Sequence, residues 1–428
     1  MAPARRRSGG AGGPRRAGGP AAQAAPGAPA DPLSEAYFLF LRGQSLEEQG
    51  DVPGAIASLT RATELAPKAA EIRAELAGLY ARQGRATDAV REGEKALDLD
   101  ADNYEAHRIL GFVQAALADR LPQNGSMIDQ AIGHFEKALA TGTRDPGMEI
   151  TLGRLYVRAE KYIPAIRTLR NFLLLQPGYR EGLVLLAQAY TGNGEPGEAV
   201  PVLEELVAGT PDDPRNRAWL AELYEDTGEW DKSAAQWAQI TALAPGTATY
   251  AVRYATALIN SGDLAKSRDV LQKLTADQPK EVMGWYLLSE VERRTGHPDA
   301  AADAARRILA IDATDARGLL SLAQAQTAAH DFAGVVNTLE ARVSAPRDGD
   351  DDNGLHARLA VELAAAYQGL GERDKAVGVL EAALARTPND GDLLFDLGAP
   401  TSAPGSTAAE TAFRRVIEAD PSHADALN

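Results

Sequence analysis

The sequence predicts an all-α chain of antiparallel helix hairpins, and three observations carry that prediction. Pro177, Pro211, Pro245 and Pro279 stand one 34-residue step apart, as do Tyr156, Tyr190 and Tyr224. Gly50 and Gly84, then Gly194, Gly228, Gly262 and Gly296, keep the same step. Inside one period, Leu183, Leu186, Ala187 and Tyr190 form an i, i+3, i+4, i+7 stripe, the signature of a helix with one apolar face. Gly192, Asn193 and Gly194 interrupt it, and Ala199, Leu203 and Leu206 form a second stripe that Gly209 and Pro211 end. No segment of comparable strength alternates with period two, so strands are not expected.

Residues 1–35 read as a disordered tail of Ala, Gly, Pro and Arg with no bulky apolar side chain before Leu33 beyond Met1. Residues 36–428 read as the repeat array. With the 34-residue ruler, repeats begin near residues 36, 70, 104, 146, 180, 214, 248, 282, 316, 357, 391 and 424. The two long intervals place insertions near 122–129 and 345–354. The repeat at 391–423 is degenerate, because Pro400 and Pro404 must stop the helix that begins near Asp392; a proline inside a helix costs about 3 kcal/mol. A repeat opening at Ala424 is truncated, which leaves Phe413, Val416 and Ile417 without a polar cap. Self-association through that end is expected, and the chain reads as a fragment of a longer protein.

The pattern resembles the tetratricopeptide repeat. Its position 8, Gly or Ala, is Gly43, Ala77, Gly111, Gly153, Ala187, Ala221, Ala255, Ser289, Ala323, Ala364 and Gly398. Its position 11, Tyr, is Tyr80, Tyr156, Tyr190, Tyr224 and Tyr367, and its position 20, Ala, is Ala55, Ala89, Ala131, Ala165, Ala199, Ala301 and Ala376. The resemblance covers about residues 36 to 428. It implies an α-α superhelix, a right-handed solenoid of about eleven hairpins, in which small residues at 8, 20 and 27 let helices approach closely. It also implies a concave groove faced by positions 2, 5, 9, 12 and 13, and weaker repeats where Arg42 replaces the usual Leu of position 7, Gly93 the bulky residue of 24 and Arg342 the small one of 27.

Position 5 reads Phe40, Ala74, Arg108, Ile150, Val184, Ala218, Val252, Tyr286, Leu320 and Val361, and no repeat has Asn at 9, so the Lys-and-Asn carboxylate clamp of one subgroup of the family is absent. The groove candidates are Tyr37, Phe40, Arg108, Phe112, Ile150, Arg154, Arg158, Tyr286, Arg293 and Arg294. Arginine beside aromatic and aliphatic groups is the composition of interface hot spots. Arg108, Phe112, Arg154 and Arg158 are expected to form a basic, partly apolar patch suited to an acidic segment.

Composition narrows the chemistry. Five arginines against Asp31 and Glu35 give residues 1–35 a charge of +3, which leaves −19 on the rest of a chain whose net charge is −16. An acidic body repels phosphate backbones and anionic lipid, so no nucleic acid is expected as partner. Zero cysteines exclude disulfides, thiolate metal sites and thiol nucleophiles. Gly192-x-Gly194-x-x-Gly197 has dinucleotide-loop spacing but follows no strand, and the Asp348–Asp352 run lacks the carboxylate that would close a calcium loop. The six histidines form no H-x-x-x-H pair on one helix face and read as surface or packing residues. No catalytic residue, metal site or cofactor is expected. The chain reads as a non-enzymatic scaffold that binds partner polypeptides in its groove; the alternative is the recognition arm of a larger enzyme, for example a glycosyltransferase, with its catalytic domain beyond Asn428. No membrane span is expected and the chain as written reads as cytoplasmic. Ala22-Gln23-Ala24 resembles a signal-cleavage site without its apolar region, so a periplasmic placement requires a damaged or misassigned signal.

Overall fold

The computed structural model describes residues 31–120, 125–345, 353–387, 390, 393–395 and 397. Among them are twenty helices and no strand. The chain divides into two compact units, Met1–Lys161 and Tyr162–Asn428.

The first unit holds the hairpins α1 (Pro32–Glu48) with α2 (Val52–Leu65), α3 (Ala70–Arg82) with α4 (Ala86–Leu99), and α5 (Tyr104–Arg120) with α6 (Gly125–Ala140), followed by α7 (Pro146–Arg158). The second opens on α8 (Tyr162–Leu175). It continues as α9 (Arg180–Gly192) with α10 (Pro196–Gly209), α11 (Pro214–Asp226) with α12 (Trp230–Leu243), and α13 (Ala248–Ser261) with α14 (Leu264–Asp277). The last pairs are α15 (Val282–Arg294) with α16 (Pro298–Ile311), α17 (Ala316–Ala328) with α18 (Phe332–Ser344), and α19 (Asn353–Gly369) with α20 (Arg373–Leu384).

Helices α3, α5, α7, α9, α11, α13, α15 and α17 begin at the residue where the ruler starts a repeat. The exceptions are informative. α1 begins at Pro32, so residues 32–35, expected in the tail, form its first turn; Pro at the first helical position and an acid, Glu35, in that turn both favour this start. The insertion near 122–129 is partly helical, since α6 starts at Gly125 and α5 runs 17 residues to Arg120. The tail residues 1–30, the acidic run Asp348–Asp352, most of the degenerate repeat and the truncated repeat from Ala424 lie outside the described residues.

Most of the described turns between a first and a second helix contain one residue with positive φ. Gly50, Gly84, Gly194, Gly228, Gly262, Gly296 and Gly371 supply it, with φ from 70° to 89°. Glu160 and His330 fill the same slot at φ 55° and 59°. Aspartates cap many helix starts, as where Asp51 accepts from the Gly54 N–H at 3.0 Å and Asp315 from the Gly318 N–H at 2.7 Å.

The small residues do what the repeat pattern implies. Ala55, Ala89, Ala131, Ala165, Ala199, Ala301 and Ala376 are fully buried, and a β-carbon on Gly111 would stand 2.6 Å from the Phe135 ring. Gly93 makes room in the same way: its β-carbon would meet Leu110 at 2.9 Å, so the position expected to weaken its repeat is instead filled by a neighbour. The position-11 tyrosines are buried. Three of them donate to a glutamate on the preceding second helix: Tyr156 to Glu136 at 2.6 Å, Tyr224 to Glu204 at 2.5 Å and Tyr367 to Glu340 at 2.7 Å. Burial first and Glu340 second push the Tyr367 hydroxyl up to about 12, so it remains a donor at every physiological pH.

Candidate functional site

The first unit scatters its groove candidates. Tyr37 is exposed on α1 and its hydroxyl hydrogen-bonds Glu71 of α3. Phe40 is half-buried against a core containing Ala55, Leu59 and Tyr80. Ile150 is corrected in degree: only 8% exposed, it serves mainly the core and offers a partner little surface. α7 packs against both α5 and α6, and an aliphatic side chain gains more from that burial than from facing water.

The expected basic patch is also corrected. The Arg108 guanidinium grips Glu105 through Nε at 2.9 Å and Nη2 at 2.5 Å, while lying 6.0 Å over the Phe112 ring. Phe112 in turn packs edge-on to Phe135 at 5.0 Å. Arg158 donates to Asp119 and, at 3.3 Å, to the Ala118 carbonyl. Arg154 is half-exposed. The Arg108 and Arg158 charges are thus neutralised at home, which removes most of their attraction for an acidic segment.

Two histidines of the first unit form a pair that sequence spacing did not reveal. His107 Nδ1 and His134 Nδ1 lie 2.8 Å apart, joining α5 to α6, and His107 Nε2 lies 3.0 Å from the Ala101 carbonyl. A carbonyl only accepts, so the His107 proton sits on Nε2, and His134 Nδ1–H donates to the bare His107 Nδ1. Burial, with the neighbouring His107 and Lys137 charges, holds the His134 imidazole down to about 4. Among the described residues no group of three His, Asp or Glu side chains could hold a metal.

The second unit gathers its candidates. The acidic stretch Glu222–Asp226 is largely spoken for: Arg253 pairs with Glu222 at 2.8 Å and Glu225 at 3.1 Å, and Glu225 also accepts from the Trp237 indole N–H at 2.7 Å. Arg293 forks onto Glu290, with contacts from 2.7 to 3.1 Å, and Arg294 is exposed. Tyr286 faces a cleft of about 690 Å³ formed by α15, α17 and α19. Its apolar lining includes Tyr286, Leu320 and Val361, the position-5 residues of three consecutive repeats, with Leu355 and Phe395 beside them. Arg317 and Arg358, the position-2 residues of two repeats, line it with exposed side chains, and among the described residues neither makes an ion pair. Gln324 at position 9, Glu362 and Asp390 add polar groups; Glu362 accepts from Thr327 at 3.4 Å and Asp390 caps Leu393 at 3.0 Å. Arg317, Gln324 and Arg358 were missed as candidates, although the ruler already placed them at groove positions 2 and 9.

Three tetratricopeptide repeat family models match the chain, one at residues 40–111, 150–214 and 252–316, a second at 190–252 and a third at 359–394. The chain is a tetratricopeptide repeat protein. Such repeats make it a protein-interaction scaffold by class. It is 28% identical over 182 residues to a BBSome complex member BBS4 homolog of Drosophila melanogaster, a match covering 41% of this chain. The tetratricopeptide repeat chain spans only 37% of that relative's length. Among solved structures it is similar to Naa15/Naa10 bound to HypK-THB, at 14% identity and TM-score 0.47, covering 91% of this chain and 64% of that one. It is also similar to the APC/C hetero-tetramer Cut9–Hcn1, at 13% identity and TM-score 0.40, covering 93% of this chain and 97% of that one. Among the described residues no helix is long and apolar enough to cross a membrane.

Proposed function

We propose that this repeat protein holds a partner polypeptide in the cleft of its second unit, and that the segment held carries a carboxylate next to bulky apolar side chains. The observation that supports the reading is the pairing of an apolar lining, Tyr286, Leu320 and Val361, with two exposed guanidinium groups, Arg317 and Arg358, that no acid on the described chain engages. An arginine without a partner presents its full fork of donors to an incoming carboxylate, whereas Arg108 and Arg293 would first have to release Glu105 and Glu290. The apolar lining supplies the non-directional part of the affinity, and the two forks supply register.

The test uses a fluorescein-labelled synthetic peptide in which Leu and Phe alternate with Asp, with a Lys-for-Asp peptide as control, read by fluorescence anisotropy at low salt. The acidic peptide is expected to bind and the basic one not to. Charge-assisted hydrogen bonds contribute about 1.5–3 kcal/mol each, so reversing both charges in Arg317→Glu/Arg358→Glu should weaken binding by more than about tenfold. The double variant Arg154→Glu/Arg158→Glu should leave it unchanged. If instead that first-unit variant abolishes binding while the cleft variant retains it, the cleft is the wrong site.

A further inference from the structure

Three positions of each first helix face the repeat before it. At position 3, a β-carbon on Gly182 would stand 3.0 Å from Leu173 and 3.1 Å from Phe172, one on Gly284 3.1 Å from Leu274, and one on Gly318 2.8 Å from Ile308. All of these neighbours lie on the preceding second helix. At position 6, Ile109 approaches the β-carbon site of Gly78, on the preceding first helix, to 3.1 Å. At position 7, Leu110 approaches that of Gly93 to 2.9 Å. Interior repeats cover these slots, fully at Ile72 (0% exposed) and Ile109 (4%), and partly at Arg253 and Glu362, which hold position 6 in later repeats.

In α1 the same three positions are Phe38, Leu41 and Arg42, and nothing among the described residues stands before them. Phe38 is 64% exposed and Leu41 62%, whereas Leu33 and Tyr37, also exposed, lie toward the α2–α3 connection, where Tyr37 bonds Glu71. At the 100° step of an α-helix Phe38 and Leu41 lie about 60° apart, on a face separate from the Ala36, Phe40 and Gly43 side that packs inward. A helix apolar on two faces needs a second cover. Residues 1–30 contain no Leu, Ile, Val or aromatic residue and only Met1 of comparable bulk, so that stretch has no side chains to provide it.

We propose that the cover is a second copy of this chain, with α1 packed antiparallel on α1 about a two-fold axis that passes between Phe38 and Leu39. Charge placement selects this occupant. In an antiparallel two-fold pair, a residue a given distance before the axis meets the partner's residue the same distance after it, on the same flank. Glu35 and Arg42 lie at equal distances on either side of that axis, and about 20° apart around the helix, so each Arg42 meets the Glu35 of the other copy, twice per interface. Both side chains are exposed, and among the described residues neither makes an ion pair. Phe38 and Leu41 of the two copies then close over one another at the centre. Arg42, which breaks the Leu pattern of position 7, thereby gains a use at the one repeat with no predecessor among the described residues.

Sedimentation velocity and light scattering on the full chain at micromolar concentration decide the question. The expected mass is twice the 45.3 kDa of one chain. Phe38→Glu/Leu41→Glu should raise the dissociation constant at least tenfold, with far-UV circular dichroism confirming that the helices persist. Arg42→Glu alone should weaken the dimer, and Glu35→Arg combined with Arg42→Glu should restore it, because the symmetric pair is rebuilt with its signs exchanged. That pair decides the matter should the Phe38 variant lose its fold. A single-chain mass at every concentration overturns the proposal, as does a dimer indifferent to the α1 substitutions, which would place association elsewhere, for instance at Phe413, Val416 and Ile417. Arg317→Glu/Arg358→Glu should leave the dimer intact, so the outcome is independent of the cleft.

Discussion

Between the first two repeats, Ile72 of α3 is fully buried in a cluster with Ala62 and Ala66 of the α2 end, whereas between α16 and α17 the same position is Gly318 and the large residue, Ile308, comes from the other side. The next junction of the first unit has small residues on both sides, where Ala106 clusters with Ala96 and Ala74. The second unit repeats the Gly318 arrangement, with Gly182 receiving Phe172 and Gly284 receiving Leu274. The Ile72 and Gly318 junctions are thus reciprocal, the large partner coming from opposite sides and filling the space that the small one leaves, as expected of an interior packed to crystal-like density. The largest effects should come from breaking this reciprocity. Ile72→Ala leaves Ala62 facing a void and should lower stability by about 2–5 kcal/mol. Gly318→Leu drives a side chain into Ile308 and should cost about 1–3 kcal/mol. Combining Gly318→Leu with Ile308→Ala converts the junction to the first-unit arrangement and should recover most of that loss. Urea unfolding midpoints provide the comparison, and a double variant no more stable than Gly318→Leu alone would show that volume reciprocity does not govern the junction.

Acid sharpens the same contrast, because the neutral His107–His134 hydrogen bond joins two helices of the first unit. The His134 folded value of about 4 lies below the ordinary 6.5, so folding favours the neutral ring. The linked stability is fully present above about pH 6.5 and is lost progressively as pH falls toward 4, where the unfolded chain binds the proton and the folded one resists. For a half-buried ring the loss should be about 1–2 kcal/mol. Hydrogen exchange read on residues 104–140 should accelerate on moving from pH 7.5 to 5, after correction for intrinsic rates, while residues 316–343 of the second unit change little. His134→Gln keeps a donor for His107 Nδ1 without a proton to gain, and should flatten the response; equal acid sensitivity in wild type and His134→Gln would remove the pair as its cause.

The repeat frame was legible because it is written in backbone and packing requirements that recur at fixed spacing: a positive-φ glycine such as Gly84, a buried Tyr80, a buried Ala89. The starts of α3 and α17 could be read to the residue for that reason. Sites were less legible because they depend on partners at irregular separations. The Arg108–Glu105 pair is an i, i+3 neighbour and could have been read from the sequence, but Arg158 reaches Asp119 across two helices and His107 reaches His134 across an insertion. Ile150 shows the limit of a position rule: position 5 is partly exposed at Tyr286 and Val361 yet nearly buried at Ile150 and Leu320. Arg317 and Arg358 stand at position 2, as Tyr37 does, and what sets them apart is the apolar cleft beside them, which a position rule does not show.

The smallest effects test a feature the two units share. The turn slot requires the left-handed region, which costs a residue with a β-carbon roughly 1–2 kcal/mol, so glycine is the least strained choice at Glu160 in the first unit and His330 in the second. Glu160 is exposed, and Glu160→Gly should raise stability by about 1 kcal/mol once the extra freedom glycine gives the unfolded chain is set against the relieved strain. His330 packs edge-on to Phe332, with ring centroids 6.0 Å apart, and an aromatic pair contributes about 0.5–1.5 kcal/mol. His330→Gly removes that contact along with the strain and should therefore be close to neutral. Thermal midpoints of the two variants measure the difference directly. A larger gain at His330 than at Glu160 would mean that the ring contact contributes nothing, and that the non-glycine turns of the two units are equivalent after all.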